Sequence, residues 1–474
     1  MDAQKRELVN LFAMASPSKK RLTLIGIYLA ALITRFISTG TFTLLPMAAL
    51  DIGGMDIYPL VSSVGGAMSI CIMPIYGFLG AGNPALKRPL LAGSLTLGAA
   101  IFTAISFAPN MFVIIAVNFF YGAVSASIFV VAYSMIRDMY NARQAAIYLG
   151  FIGTVTSIGM FIGPTIIGLI TDTLGWRVAY RISVPLLLLA VLFIMIGVKV
   201  TRAQAAPHLK GKVGFDALGA FSLTLLLLGL VMTLSLGTTY VPFGSPLSHA
   251  LILVAMVGFV MLLVDFSKKR EQAFIPLAML KDRNTVALAL YNFFINTSAN
   301  ALVFFMPAYI ISVLDGGGLY AAFSTAIYAV PGIFISPFLG KLIVRQGSAR
   351  GLITVGTLVR IVVTIAVIII LSPQTPLPIV YVLMFIAGLY SAQQNVTSST
   401  APQIQIKPEL RFQANSLVQT AQNLGSSIGM AVYTLIMASF GITQGMNVAL
   451  VIATAIAVIA LVMGQFLVKS KPQA

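Results

Sequence analysis

The sequence predicts an all-α membrane protein of fourteen spans, arranged as two six-helix bundles with two extra helices. Three observations lead to this fold class. First, 59% of the 474 residues are hydrophobic and only 9% are charged, which is too apolar for a soluble protein. Second, apolar stretches of about 20 residues, the length that crosses a bilayer, recur along the chain. Third, two polar interruptions divide those stretches into groups of six, two and six.

The predicted spans follow one another through mostly short loops. They lie near 22–48, 59–81, 89–108, 111–134, 144–171, 178–200, 215–236, 248–266, 285–313, 318–344, 350–372, 377–399, 412–439 and 446–468. The longest polar loops, 202–214 and 268–283, set the domain boundaries. We therefore expect an N-terminal segment (1–21), a first bundle (22–200), a middle region with two inserted helices (201–284), a second bundle (285–468) and a tail (469–474).

The distribution of charge predicts how the chain sits in the bilayer. A net charge of +17 could indicate a nucleic-acid partner, but the basic residues lie in short loops between apolar spans rather than on a soluble face. If the N-terminus is cytoplasmic, all but four of the 29 Lys and Arg residues are also cytoplasmic; the exceptions are Arg35, Arg177, Arg181 and Arg360. The positive-inside rule then predicts a multi-pass protein of the cell (plasma) membrane with both termini cytoplasmic.

The predicted fifth span carries a series of small residues on one helix face, in the pattern GxxxGPxxxG. Its members are Gly159, Gly163, Pro164 and Gly168. Because no hydrophobic force drives helices together in lipid, small residues four apart let two backbones approach and pack. Pro164 lacks a backbone N–H and predicts a local kink. A general helix-packing face is the alternative interpretation of this series.

This series, followed by Trp176-Arg177 and Ser183-Val184-Pro185, resembles the fifth-span antiporter motif of the major facilitator superfamily, in its 14-helix drug/proton antiporter family. The resemblance implies two bundles that rock by alternating access and export small amphipathic molecules, with protons as possible coupling ions. We expect the chain to act as a monomer. It departs from the family in two ways: the loops after Gly77 and Gly340 lack the usual acid, and Asn118 replaces the arginine of span 4.

Two arginines lie well inside predicted spans, where a charge is costly and therefore indicates function. Arg360 belongs to a span expected at the periphery, so we interpret it as snorkelling or bonded to a neighbouring carbonyl. Arg35 lies near the middle of the first span, which lines the cavity in the family it resembles. We expect it to face the cavity and bind substrate, with a structural bond to another span as the alternative.

Uncharged polar residues supply the rest of the predicted substrate site. Asn292, Asn296 and Asn300 are four apart and so share one helix face. Interhelical hydrogen bonds that only hold the bundles together are the alternative role for each such side chain. Together with Arg35, the predicted substrate-binding residues are Ser38, Asn118, Tyr121, Asn292, Asn296, Asn300, Gln393, Gln394, Gln419 and Asn423.

No metal, nucleotide or hydrolase motif stands in a suitable context, so we expect no enzyme, no cofactor and transport energised by gradients. All the acids lie in loops or at span ends, which leaves the interior cationic. An amphipathic organic anion or weak acid is therefore the predicted substrate, since the inside-negative membrane potential favours the exit of an anion. If protons are coupled, Asp51, Asp172 or Asp315 at the outer mouth are the candidates. The alternatives are proton-linked uptake of an organic acid, such as a bile-acid-like molecule, and a non-transporting membrane sensor or scaffold.

Overall fold

The structure is a computed structural model that describes residues 15–54, 60–200, 216–237, 244–269, 277–315, 318–407 and 410–467. These residues form helices and connecting turns, and no strand occurs among them. Eleven of the helices are long and apolar enough to cross a membrane, and two shorter apolar helices accompany them. The all-α membrane fold is confirmed, whereas the count of fourteen spans and the domain boundaries stay predictions.

The first bundle packs around a single hydrophobic core that runs from Leu24 to Val200. Its helices begin at capping side chains where the chain offers them: Asn110 accepts a hydrogen bond from the Val113 N–H, and Asn141 accepts one from the Gln144 N–H. The helices are α1 (Pro17–Ile52), α2 (Leu60–Gly82), α3 (Lys87–Ser106), α4 (Met111–Ser127), which continues through a π-helical turn (Ile128–Ala132) into α5 (Tyr133–Met139), α6 (Ala142–Leu174) and α7 (Trp176–Ile196).

The second bundle contains two further core clusters. Its longest helix bends at Gly441, whose φ of +72° is a backbone conformation that favours glycine. Asp282 caps the first long helix by accepting a hydrogen bond from the Thr285 N–H. The helices are α10 (Leu277–Lys281), α11 (Arg283–Ser312), α12 (Gly318–Gln346), α13 (Arg350–Ile370), α14 (Leu377–Gln405) and α15 (Arg411–Gln465).

The inserted pair, α8 (Ala217–Gly237) and α9 (Pro246–Lys269), packs as a hairpin on the outside of α2. A shared apolar cluster joins α8 to Ala67, Ile70 and Cys71 of α2. Lys269 ties the two helices together, because its ammonium lies 2.6 Å from Asp216 and 2.7 Å from Asp265. The exposed hydrophobic side chains of α9 fit a helix that faces lipid.

The two bundles meet at the end of the molecule where the basic loops cluster, which we call the basic end. There Gly77 and Gly80 of α2 lie directly against Ser416 and Phe412 of α15. The Lys87 ammonium lies over the Phe412 ring, 4.4 Å from its centroid. These contacts join the two bundles at the basic end.

The glycine contact inside the inserted hairpin predicts a stability effect. A Cβ at Gly258 would meet backbone atoms of α8, including the Ser222 carbonyl oxygen at 2.8 Å, and backbone cannot move aside easily. Gly258→Ala should therefore cost about 1–3 kcal/mol, measured by thermal unfolding in detergent. Gly93→Ala is the matched control, since its Cβ would meet nothing within 4 Å. Equal melting temperatures for the two variants would contradict the assigned packing of α8 on α9.

Candidate functional site between the bundles

A cavity of about 20 Å³, which has room for about one water molecule, lies between the two bundles. One wall comes from the first bundle: Arg35, Phe129, Tyr133, Gly153 and Thr156. The other wall comes from α14 and α15 of the second bundle: Asn395, Ser398, Ser399, Gln419 and Gln422. The lining is polar apart from the two aromatic rings, and Arg35 is the residue in it that carries a full charge.

Arg35 extends from the middle of α1 into this cavity and is partly buried. No ion pair or hydrogen bond joins its guanidinium to the part of the chain that the structure describes. The Tyr133 and Tyr121 side chains lie within electrostatic range of it. A guanidinium presents five N–H donors in a planar fork that matches a carboxylate or a similar oxyanion. The side chain is therefore available to bind a negatively charged group in the cavity.

The glycines of α6 determine where α1 lies. A Cβ at Gly159 would come within 2.9 Å of the Leu32 carbonyl oxygen and 3.2 Å of the Arg35 Cβ atom. A Cβ at Gly163 would stand 2.6 Å from the Phe36 carbonyl oxygen. The Thr39 hydroxyl then donates to the Arg35 carbonyl at 3.0 Å and lies 3.5 Å from the Gly159 carbonyl. The glycine series thus packs α6 onto α1 at the turn that carries Arg35.

The other two members of the GxxxGPxxxG series, Pro164 and Gly168, lie in the same helix, α6. Pro164 lies inside α6, which continues through it as a single helix, and Gly168 is half-buried one turn further on. The helix ends at Gly175, where a φ of +87° lets the chain turn into α7.

Gln419 is the second predicted site residue that lines the cavity. Its side-chain N–H donates to the Ser398 carbonyl at 2.9 Å, which fixes the amide against α14. Its carbonyl oxygen is buried without a hydrogen-bond partner among the described residues, and so is that of Gln422. These two amides and the hydroxyls of Ser398 and Ser399 give the wall opposite Arg35 both donors and acceptors.

Three of the predicted polar residues instead form a hydrogen-bonded network inside the second bundle, and Gln393 bonds to other residues beside it. Gln394 donates to the Asn296 side chain at 2.6 Å, and Asn296 donates to the Asn292 carbonyl at 2.8 Å. The Asn292 amide oxygen accepts from the Ser398 hydroxyl. Gln393 contacts Tyr291 at 3.3 Å and Thr397 at 2.9 Å. In the described conformation, these side chains satisfy one another rather than line the cavity.

The remaining predicted polar residues also bond to neighbouring helices. Asn118 donates to the Val61 carbonyl at 2.8 Å, and Asn300 donates to the Ser426 carbonyl at 2.6 Å. Asn423 donates to the Met73 sulfur of α2 at 3.6 Å and to the Gln419 carbonyl of its own helix at 2.9 Å. Tyr121 is buried near Arg35 and Thr34, whereas Ser38 is exposed. Arg35 and Gln419 are thus the predicted site residues that the described cavity brings together.

Arg360 makes the carbonyl contact expected from its sequence position. Its Nη1 atom donates to the Ile295 carbonyl at 2.8 Å and to the Gln394 side chain at 3.1 Å. The residue is only 2% exposed, so the alternative expectation of snorkelling to the membrane surface is wrong.

The three acids predicted at the outer mouth differ in their surroundings. Asp51 accepts a hydrogen bond from the Trp176 indole at 3.0 Å and pairs with Arg177 at 2.5 Å. These two donors hold the pKa of the Asp51 carboxyl below its ordinary value. Asp315 is exposed, with a φ of +53°. The Asp172 side chain lies outside the described residues.

Sequence reasoning missed the ion pair at the basic end. Lys87 is nearly buried, and its ammonium binds Asp138 at 2.6 Å and the Ser134 hydroxyl at 2.9 Å. Arg137 donates from Nε to the Gln403 carbonyl of the second bundle at 3.3 Å. The resemblance pointed to an absent acid in the loop after α2, but Asp138 supplies a carboxylate from α5. The Arg137-Asp138 pair at the end of a predicted span was the available signal.

Comparison with known proteins agrees with this architecture. The family model described as Major Facilitator Superfamily matches residues 27–430 and 288–474. The chain belongs to the Major Facilitator Superfamily. Family membership and the helices long enough to cross a bilayer indicate a multi-pass membrane protein.

The relatives are distant. The chain is 26% identical over 340 residues to the multidrug transporter protein MdtP of Bacillus subtilis, and this alignment covers 71% of the chain and 61% of the relative. It is 22% identical over 421 residues to multidrug resistance protein 3 of the same organism, covering 88% and 80%. Among solved structures, the human organic anion transporter MFSD10 (TETRAN) superposes with a TM-score of 0.65 at 13% identity, over 95% of this chain and all of that one.

The close contact between α1 and α6 predicts how an added side chain on α6 would affect transport and stability. Gly163→Ala should push α1 away, because the added Cβ would stand 2.6 Å from the Phe36 carbonyl, and this displaces the turn that carries Arg35. We expect lower transport and a loss of about 1–3 kcal/mol of stability. Gly66→Ala is the control, since its Cβ would meet nothing within 4 Å. If both variants transport and unfold like the wild type, the α1–α6 contact does not position Arg35.

Proposed function

We propose that the chain is a secondary transporter that exports amphipathic small molecules by alternating access and prefers organic anions or weak acids. The observation that carries the proposal is Arg35, a cation on the cavity wall that no described acid neutralises. An anionic group of the substrate would be its counter-charge. We further propose a monomer in the plasma membrane, with the basic end and both termini cytoplasmic.

The comparisons support the direction and the substrate class. Both Bacillus relatives are named for multidrug transport or resistance, which favours efflux for this chain. The solved neighbour is titled an organic anion transporter, which fits a cationic cavity although its sequence is distant.

The membrane potential makes export of an anion favourable. Each negative charge that leaves a cell with a negative interior gains about 2.3 kcal/mol per 100 mV, so an anion needs no carboxylate to carry a proton with it. A cation would have to move against the same potential. The absence of a described carboxylate on the cavity wall therefore supports an anionic substrate over a cationic one.

The contacts between the bundles support a rocking mechanism. In the proposed mechanism, the contacts at the basic end form the closed side: the glycines of α2 lie against α15, and Arg137 donates to the Gln403 carbonyl. Export would require this closure to open so that substrate enters from the cytoplasm. Binding at Arg35 and Gln419, one from each bundle, would couple the substrate to the relative position of the two bundles.

Replacement of Arg35 tests the proposed substrate class. Arg35→Gln keeps a long polar side chain but removes the charge, so uptake of an organic anion into inside-out vesicles should fall about 10–100-fold, the loss of about 1.5–3 kcal/mol of charged hydrogen bonding. Transport of an organic cation should not fall. The control is Arg181→Gln, which removes a charge beside Phe107, away from the cavity. Unchanged anion transport in Arg35→Gln contradicts the proposal, and tracer accumulation under an imposed pH gradient separates export from proton-linked uptake.

The surroundings of Asp51 predict that it does not carry the coupling proton. The Trp176 and Arg177 donors hold its pKa below the ordinary value, so the carboxyl stays ionised wherever an ordinary aspartate is ionised and protonates only at lower pH. Asp51→Asn should therefore leave the shape of the transport curve between about pH 5 and 8 unchanged. The measurement is tracer flux across that range, and a shifted midpoint in the variant would assign proton coupling to Asp51.

A further inference from the structure

The guanidinium of Arg360 lies in the interior of the second bundle. It is not one of the residues that line the cavity beside Arg35. It is 2% exposed, and its Nη1 atom donates to the Ile295 carbonyl and the Gln394 side chain. Its flat face lies over the Tyr390 ring, 4.4 Å from the centroid. One carbonyl, one amide, and the ring and hydroxyl of Tyr390 thus share the charge without neutralising it.

One end of this fork is unpaired among the described residues. The Nη2 atom of Arg360 is buried without a hydrogen-bond partner among the described residues, and so is the hydroxyl of Tyr433, a residue with 0% exposure. Tyr433 and Tyr328 both lie within electrostatic range of the guanidinium. A guanidinium can only donate, and a tyrosine hydroxyl donates readily to an anion. Two unsatisfied donors near one buried positive charge are the contacts that an anion requires.

The second bundle supplies no carboxylate for this charge within the described residues. The described acids of its helices and loops are Asp282, which caps α11, and Asp315, which is exposed. Removing a charge from water is costly unless an opposite charge or several hydrogen bonds compensate. Arg360 therefore has the surroundings of a binding site for an anion that comes from solution.

We propose that Arg360 Nη2 and the Tyr433 hydroxyl bind a small monovalent inorganic anion of the chloride class. The enclosure supports a small ion over an amphipathic substrate, because Tyr390 covers one face of the guanidinium and Tyr328 packs edge-on against Tyr390, with centroids 6.4 Å apart. The site is separate from the substrate cavity and does not depend on the function proposed above.

The network of Gln394, Asn296 and Asn292 gives this anion a route to affect transport. It runs by hydrogen bonds from Arg360 to Asn292, whose side chain accepts from the Ser398 hydroxyl on the cavity wall. A bound anion would neutralise Arg360 and hold the network in one arrangement. Transport should therefore require the anion even when the substrate itself is not chloride.

Chloride-dependent unfolding tests the site. The full-length protein in detergent is melted in sodium chloride against sodium gluconate at constant ionic strength, without organic substrate. The wild-type melting temperature should rise with chloride and saturate, since a ligand that binds only the folded state stabilises it. Arg360→Gln should abolish the rise. Tyr433→Phe keeps the ring and removes only the hydroxyl, so its half-saturating chloride concentration should increase about tenfold.

Arg35→Gln is the matched arginine control and should keep the wild-type response to chloride, whatever its effect on organic-anion transport. If chloride does not change the melting temperature of the wild-type protein, the proposal is overturned. An unchanged chloride response in Tyr433→Phe also overturns it, and this variant provides the test if Arg360→Gln does not fold. Loss of the response in Arg35→Gln with retention in Arg360→Gln would assign chloride to the cavity and also overturn it. The anomalous signal of bromide beside residue 360 in a crystal would give the position directly.

Discussion

The close approach of α6 to α1 is the contact on which the described architecture of the site depends. In lipid, two apolar helices gain little free energy by exchanging lipid contacts for contacts with each other through the hydrophobic effect. They associate instead through dispersion contacts between closely fitting surfaces. Gly159 and Gly163 remove the side chains that would hold the backbones apart. This brings Arg35 to the cavity wall, and a bulkier residue in either position would move the charge as well as weaken the bundle.

The second constraint is electrostatic. Arg35 and Arg360 both lie within membrane-spanning helices where no described carboxylate accompanies them, yet their surroundings differ. Arg35 lines the small cavity between the bundles, so its charge can be solvated there or bound by a group from outside. Arg360 is enclosed by a carbonyl, an amide and tyrosine rings, so its charge depends on fixed dipoles and on whatever anion reaches its remaining donors.

Polar side chains in the second bundle illustrate how backbone and amide groups are satisfied away from water. Asn292, Asn296 and Gln394 occupy one another's donors and acceptors across α11 and α14. Such a network fixes the register of the two helices, because a shift of one residue would leave several amides unpaired in a nonpolar medium. Ser398 connects this network to the cavity, because its hydroxyl donates to Asn292 and the residue also lines the cavity wall.

Apolar length and loop charge predict a helical membrane protein, the GxxxGPxxxG series gives its resemblance to this superfamily, and the depth of Arg35 in the first span marks it as a candidate site residue. Which polar residues contact one another depends on the three-dimensional packing of the helices. Spacing of four places Asn292, Asn296 and Asn300 on one helix face, but it does not say whether that face turns to the cavity or to another helix. That choice depends on helix rotation and on partners distant in sequence, as with Gln394 for Asn296, Ser426 for Asn300 and Asp138 for Lys87.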